Sequence, residues 1–233
     1  MIKIENVDVF GWEAAIRGMR NPMNSWDMSD SKWVWFKNEE GNEEDGYSIG
    51  ENDLKLMCSL SKAGNDHAKF LRMINVTCDI VAPRYWWIEF DTYKVGTVCN
   101  SCSTMHKITE KEFTLDDFSC EHLNDVWEED EKNIIYYNSE YGNTPFEVLE
   151  FMVDALNKYR TSYLKTKNKR YWWMIIQLLP QSYNQRRTVQ LNYQVLKSMY
   201  HARKNHKLDE WRAFCGWCES LSYFKEICVA AED

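Results

Sequence analysis

LLPQSYNQRRTVQLNYQVLKSMYHARKNHKLDEW, residues 178–211, is the stretch on which the fold turns. Pro180 ends the apolar run 171–179, because proline supplies no helical donor and restricts the residue before it. From 185 to 203 the spacing predicts one helix. At about 100° per residue, Val189, Val195, Leu196, Met199 and Ala202 cluster on one face. Asn192 and Arg203 project near the middle of that face, roughly 16 Å apart along the axis. An amide and a guanidinium inside an apolar stripe need partners, since leaving them unsatisfied costs about 1–3 kcal/mol or more. A neighbouring helix can supply them through a salt bridge, or a ligand can; both readings stay open on the residues alone.

Upstream, residues 82–107 read APRYWWIEFDTYKVGTVCNSCSTMHK. A proline-led, tryptophan-rich helix start passes into small polar residues: Lys94, Thr97, Asn100, Ser101, Ser103 and Thr104. Such a block has too little aliphatic bulk to be core. It is either a solvated serine-rich loop or a binding surface, in which donors take oxyanions and aromatics take a flat ring.

The remaining elements follow from periodicity and capping. Residues 2–9 alternate as a strand, and 12–19 form a short helix stopped at Asn21-Pro22. Residues 33–36 form an aromatic patch or short strand, and the acidic run 39–45 reads as a solvated loop. A helix over 52–62 is closed by Gly64. Residues 70–80 read as a strand, and Pro83 suits the first turn of the next helix. Apart from a short helix near 115–118, residues 108–131 read as loop. Thr144-Pro145-Phe146-Glu147 is a capping box with proline at the first helical position, opening an amphipathic helix of five turns. A basic connector (165–170), an apolar helix (171–179) and a final helix (208–231) complete the chain. The expected fold class is α+β: a small, mainly antiparallel sheet packed with several long helices.

A length of 233 residues fits a single domain over 1–233. The net charge of −8 argues against a nonspecific nucleic-acid binder, which needs a basic face to displace counterions. There is no apolar run long enough for a membrane span and no leader at the N-terminus, so the expected location is cytoplasmic. The eight cysteines are then expected as thiols. Two pairs, Cys99-Asn-Ser-Cys102 and Cys215-Gly-Trp-Cys218, have metal-ligand spacing, but they lie too far apart for a zinc ribbon, so no metal site is expected.

Residues 178–211 resemble the C-terminal signature of the flavin-dependent thymidylate synthases, the thymidylate synthase complementing proteins. Pro180, Asn192 and Arg203 keep the signature's separations, and Glu210-Trp211 falls within one residue of its closing Gln-Trp. The order of elements over residues 4–90 is also similar to that family's N-terminal half, with Arg84 at its arginine before the active-site helix. The hallmark Arg-His-Arg departs: Ile88-Glu89-Phe90 stands there, followed by an apparent insertion, DTYKVGT. Met105, Tyr85 and Gln194 stand where the family has arginine, glutamine and arginine.

The resemblance implies FAD-dependent transfer of a one-carbon unit from methylene-tetrahydrofolate to a pyrimidine deoxynucleotide (dUMP to dTMP type). NADPH would be the reductant and the protein a homotetramer with sites between subunits. It implies Arg203 as the catalytic, polarising residue. Substrate contacts would come from Arg84, Lys94, Asn100, Ser101, Ser103 and Arg203, and cofactor contacts from Asn192, Gln194, Ser198 and Lys207. Lys94, Lys107, Arg186 and Arg187 are candidates to replace the lost guanidiniums. The alternatives are a relative acting on another pyrimidine nucleotide or with another one-carbon donor, and a noncatalytic nucleotide-binding or assembly protein that kept the fold.

Overall fold

Thr144 accepts a hydrogen bond from the Glu147 amide at 3.2 Å while the Glu147 carboxylate accepts one from the Thr144 amide at 3.2 Å. This reciprocal cap satisfies donors that a helix start leaves open, and it launches the helix that the sequence predicts. The structure, a computed structural model, describes residues 1–37, 41, 43–123 and 144–230. The fold is α+β, with a small antiparallel sheet. The elements in chain order are β1 (Lys3–Phe10), α1 (Trp12–Arg20), β2 (Lys32–Lys37), β3 (Glu43–Ser48), α2 (Glu51–Lys62), β4 (Asn75–Pro83), α3 (Arg84–Phe90) and β5 (Val98–Ser101). Then follow α4 (Thr104–Lys107), α5 (Pro145–Thr166), α6 (Lys169–Leu178), β6 (Asn184–Asn192), α7 (Tyr193–Arg203) and α8 (Asp209–Ser220). The strand order is β1-β4-β6-β5, and β2 and β3 form a separate antiparallel ribbon. The part of the 108–131 stretch beyond residue 123 lies outside the described residues.

The chain divides into two compact units. The first comprises Met1–Lys3, Ile80–Asp91 and Asn100–Arg187. Its core gathers Leu149, Val153 and Leu156 of α5, Ile175 of α6, and Ile108, Phe113, Phe118 and Leu179. Lys167, in the left-handed region at φ 56°, turns the chain between the two helices, and Asn168 caps α6. Trp86, Trp87 and Phe90 of α3 are buried, and the Trp87 indole donates to the Gln185 carbonyl at 2.9 Å. Arg187 lies 4.2 Å over the Trp87 ring and pairs with Asp91 at 2.7 Å, so its guanidinium is committed to holding α3.

The second unit comprises Ile4–Asp79, Thr92–Cys99 and Thr188–Asp233. Its helices α1, α2, α7 and α8 close over Met57, Leu71, Ile74, Tyr193, Trp211, Phe214 and Phe224. One polar knot is built into it. The fully buried Asp53 of α2 accepts from Arg20 Nε at 2.7 Å, Ser29 Oγ at 2.7 Å, Ser31 Oγ at 2.6 Å, and the amides of Asp30 and Ser31. Burial works to raise the Asp53 pKa, but the bonds from Ser31, Ser29 and Arg20 outweigh it and hold the carboxyl below its ordinary range. Those bonds fix the chain just before β2.

Six expectations change. The predicted helix over 185–203 is a strand followed by a helix. Val189 and Leu191 are buried while Thr188 and Gln190 are exposed, which is the period of two that a strand requires. Val189 matched the helical stripe by coincidence, and Asn192 is the cap of α7 rather than a residue on its face. The predicted strand over 70–80 begins at Asn75, because Ala68–Arg72 winds as a 3-10 turn that buries Phe70 and Leu71. The final helix stops at Ser220; Tyr223 takes φ 57°, and a π-helical turn, Lys225–Val229, follows. Residues 43–45, read as the end of an acidic loop, open β3, which pairs with β2. Val98–Ser101, read as loop, is β5, and Pro83 caps α3 from outside its first turn.

The cysteines separate by environment. Cys215 and Cys218 are buried on α8, and burial pushes the Cys215 thiol up to about 11 and Cys218 well above its usual value. Cys78 in β4 is likewise pushed up to about 12 by burial. Protonated, buried thiols are packing groups. Cys99 and Cys102 are exposed. No helix among the described residues is long and apolar enough to cross a membrane.

Candidate functional site

The end of β6 and the start of α7 build one wall of a cavity of about 460 Å³ in the second unit. Asn192 is pinned there by its role as cap, its Oδ1 accepting from the Val195 amide at 3.0 Å. The Tyr193 amide donates to the Ile74 carbonyl at 3.0 Å, tying the start of α7 to the residue before β4. Gln194 and Ser198, one turn apart, continue the wall. The Ser198 hydroxyl donates to the Gln194 carbonyl at 3.0 Å, and the Gln194 amide donates to Asn65 Oδ1 at 3.3 Å.

The facing wall is the DTYKVGT segment. Thr92, Tyr93, Lys94, Val95 and Gly96 all line the cavity, and Arg72 joins them from the end of the 3-10 turn. Gly96 sits at φ 78°, and a Cβ there would lie 2.5 Å from the Asn192 amide nitrogen. Only glycine permits that approach without strain.

Charge is what this cavity leaves open. Arg72 and Lys94 are exposed, and neither side chain has an ion pair or hydrogen bond among the described residues. The Gln194 Oε1 acceptor is buried with no partner. Two uncommitted cations and an orphaned acceptor suit an anionic ligand that also carries an N–H donor. A flavin nucleotide or a pyrimidine nucleotide has both features, so these residues fit the groups that the resemblance implies.

Arg203 stands one residue behind this wall. Its Nε donates to the Tyr93 hydroxyl at 3.0 Å, and its guanidinium lies 5.7 Å from the Tyr93 ring centroid and 5.0 Å from that of Trp211. It fixes the ring that lines the cavity. Of the residues singled out from sequence, Lys94, Asn192, Gln194 and Ser198 therefore come together, with Arg203 behind them.

The others go elsewhere. Lys207 is exposed, its carbonyl accepting from Arg212, and it does not line this cavity. Asn100 and Ser101 are exposed on β5. Arg84, at the start of α3, is half-buried and donates its amide to the Tyr183 carbonyl at 3.1 Å. Ser103 caps α4 by accepting from His106 and lines a cavity of about 440 Å³ in the first unit, with Thr104, Lys107, Lys111 and Arg186. Lys107 and Lys111 are paired there with Glu110 and Asp117. The polar block is thus split between cavities.

Sequence reading missed Arg72, Tyr93, Asn65 and Gly96. Arg72 was hidden by the strand assigned to 70–80. Gly96 was the available signal: a glycine among polar residues after a helix marks a positive φ or a close backbone approach.

No family model matches the sequence and no curated protein does. Solved structures do. A Helicobacter pylori flavin-dependent thymidylate synthase, ThyX, complexed with FAD and dUMP is 17% identical, with a TM-score of 0.62 over 99% of this chain and 100% of that one. A second H. pylori ThyX structure with FAD and dUMP gives 16% identity and a TM-score of 0.63 over 100% of both chains. A UMP/dUMP methylase, PolB, from Streptomyces cacaoi with 5-Br dUMP gives 13% identity and a TM-score of 0.60 over 99% of this chain and 95% of that one. The chain thus has the fold of these flavin-dependent thymidylate synthases, shared with the methylase, at low sequence identity.

Proposed function

We propose that the chain binds a pyrimidine deoxynucleotide and FAD, and transfers a one-carbon unit to C5 of a dUMP-type base. The supporting observation is the cavity in which unpaired Arg72 and Lys94 face Asn192, Gln194 and Ser198. In the overall reaction a C5–H bond gives way to a C5–C bond and the proton leaves. The methylene carbon of methylene-tetrahydrofolate gives up its two bonds to nitrogen and becomes methyl with a hydride's two electrons from NADPH, and tetrahydrofolate leaves carrying the proton lost from C5 and one from solvent. Bound FAD would relay those electrons.

The protein's own residues bind and orient. Arg72 and Lys94 neutralise phosphate, and a guanidinium with no competing partner loses little by doing so. Gln194 Oε1 accepts from a ring N–H, which selects a base or flavin edge bearing a donor there. Tyr93, held by Arg203, supplies an aromatic wall, so Arg203 acts as a positioning residue within one protomer. A homotetramer would add residues from partner copies to this wall.

A second reading has one observation in its favour. Where the family carries Arg-His-Arg, this chain has Ile88, which is 61% exposed, then Glu89 and the buried Phe90. A protein that binds the nucleotide without flavin chemistry would tolerate that change. Titration of FAD into the purified protein separates the two. Quenched flavin fluorescence and a shifted flavin absorption band that respond to added dUMP support the enzyme, whereas dUMP binding with an unperturbed flavin spectrum supports the noncatalytic reading.

A further inference from the structure

A larger cavity, of about 580 Å³, lies elsewhere in the second unit, between the end of β1, the start of α1 and the β2–β3 ribbon. The ribbon's register sets Trp33 opposite Tyr47 and Trp35 opposite Asp45. Directly paired residues share a face, so Trp33, Trp35 and Lys37 with Tyr47, Asp45 and Glu43 form one side of the ribbon. The Trp33 and Tyr47 rings meet edge to face at 5.5 Å. Phe36 belongs to the opposite side, where its ring lies against Gly46; a Cβ at that glycine would sit 2.7 Å from the ring. The two indoles are left 58% and 77% exposed. Burying apolar area of that size is a strong incentive for a partner.

On the ribbon face itself Lys37 stands opposite Glu43, but the cavity lining beside the indoles is acidic on balance. Asp8, Glu13 and Asp45 line the cavity against a single cation, Arg17. Arg17 is paired with Glu13 at 3.4 Å, and Glu13 also accepts from the Trp33 indole at 3.3 Å. Among the described residues, the side chains of Asp8 and Asp45 have no ion pair or hydrogen bond. Uncommitted carboxylates beside exposed indoles are complementary to an organic cation, which stacks on the ring face and pairs with the acid. The spacing narrows the class further. Trp33 and Trp35 are alternate residues of one strand, about 7 Å apart, which is the same-face repeat of an extended peptide.

We propose that this face docks an extended basic segment of a partner protein, with arginines at alternate positions lying over Trp33 and Trp35 and pairing with Asp8 and Asp45. The site is independent of the nucleotide cavity.

Calorimetric titration of the full chain with acetyl-Arg-Gly-Arg-Gly-Arg-amide tests it. The peptide is expected to bind, and Trp35→Ala and Asp45→Asn are each expected to weaken binding about 10-fold, in line with a lost cation–π or charged contact. Glu51→Gln, which removes an exposed acid elsewhere, should leave it unchanged. A glutamate-for-arginine version of the peptide should not bind. The proposal is overturned if Trp35→Ala and Asp45→Asn bind like wild type, or if spermidine binds as tightly as the peptide, which assigns the site to a free polyamine. It is also overturned if sedimentation shows self-association that Trp35→Ala abolishes, which assigns the face to a second copy of the chain.

Discussion

Two cavities of similar size in the same unit, about 460 and 580 Å³, present opposite charges. At the start of α7, Arg72 and Lys94 are the uncommitted groups; beneath the β2–β3 ribbon, Asp8 and Asp45 are. Volume does not distinguish them. What differs is which ionic side chains the fold has already paired. Arg17, Arg20 and Arg187 all have carboxylate partners within the protein and are parts of its framework. Ligand class is read from the charges left over.

The two regions also differ in what holds them, and this makes them separable by mutation. The ribbon hangs on Asp53, whereas the nucleotide cavity depends on the Asn192 cap and Gly96. Asp53→Ala strands the buried Arg20 charge and frees Ser29 and Ser31, so it has the largest expected effect, a loss of about 3–5 kcal/mol in denaturant unfolding. The milder Asp53→Asn should abolish binding of the basic peptide while leaving dUMP binding intact; loss of both together would show that the regions are not separable. The same carboxyl gives a pH signature. Its pKa is lower folded than unfolded, so its stabilisation is present above the ordinary carboxylate pKa of about 3.9 and is lost as pH falls through the folded value. Acid titration of stability should therefore show a smaller drop in Asp53→Asn than in wild type.

Next in size is the double variant Arg72→Ala/Lys94→Ala, expected to weaken dUMP binding about 100-fold, or about 2.7 kcal/mol, with basic-peptide affinity unchanged. Gly96→Ala comes third. It must accommodate a left-handed backbone and a displaced Asn192 amide, for about 1–3 kcal/mol of stability and a matching loss of nucleotide affinity. Lys55→Ala, which breaks an exposed pair with Glu51, should change stability by less than about 0.5 kcal/mol and neither affinity.

Much of the fold could be read in advance where local chemistry was decisive. The Thr144–Glu147 box and the α5 stripe are self-contained signals, and the structure keeps both. The stretch 178–211 shows where such reading runs out. Its spacing identified the fold, yet its secondary structure was misread, because Val189 fits a helical stripe and a strand alternation equally well and only packing decides between them. For the site, Asn192, Gln194, Ser198 and Lys94 were legible from the resemblance and the polar block. Arg72 was not, since it enters the cavity through a 3-10 turn that no periodicity marks. Nor was Arg203's bond to Tyr93, which joins residues 110 positions apart.

The central claim is that the uncommitted cations at the start of α7 hold a nucleotide phosphate. Calorimetric titration of dUMP into wild type and into Arg72→Glu/Lys94→Glu tests it most directly, with the basic-peptide titration as the fold control. The account predicts that wild type binds dUMP and that the charge-reversed variant does not, while peptide binding persists. Undiminished dUMP affinity in a folded variant would contradict it.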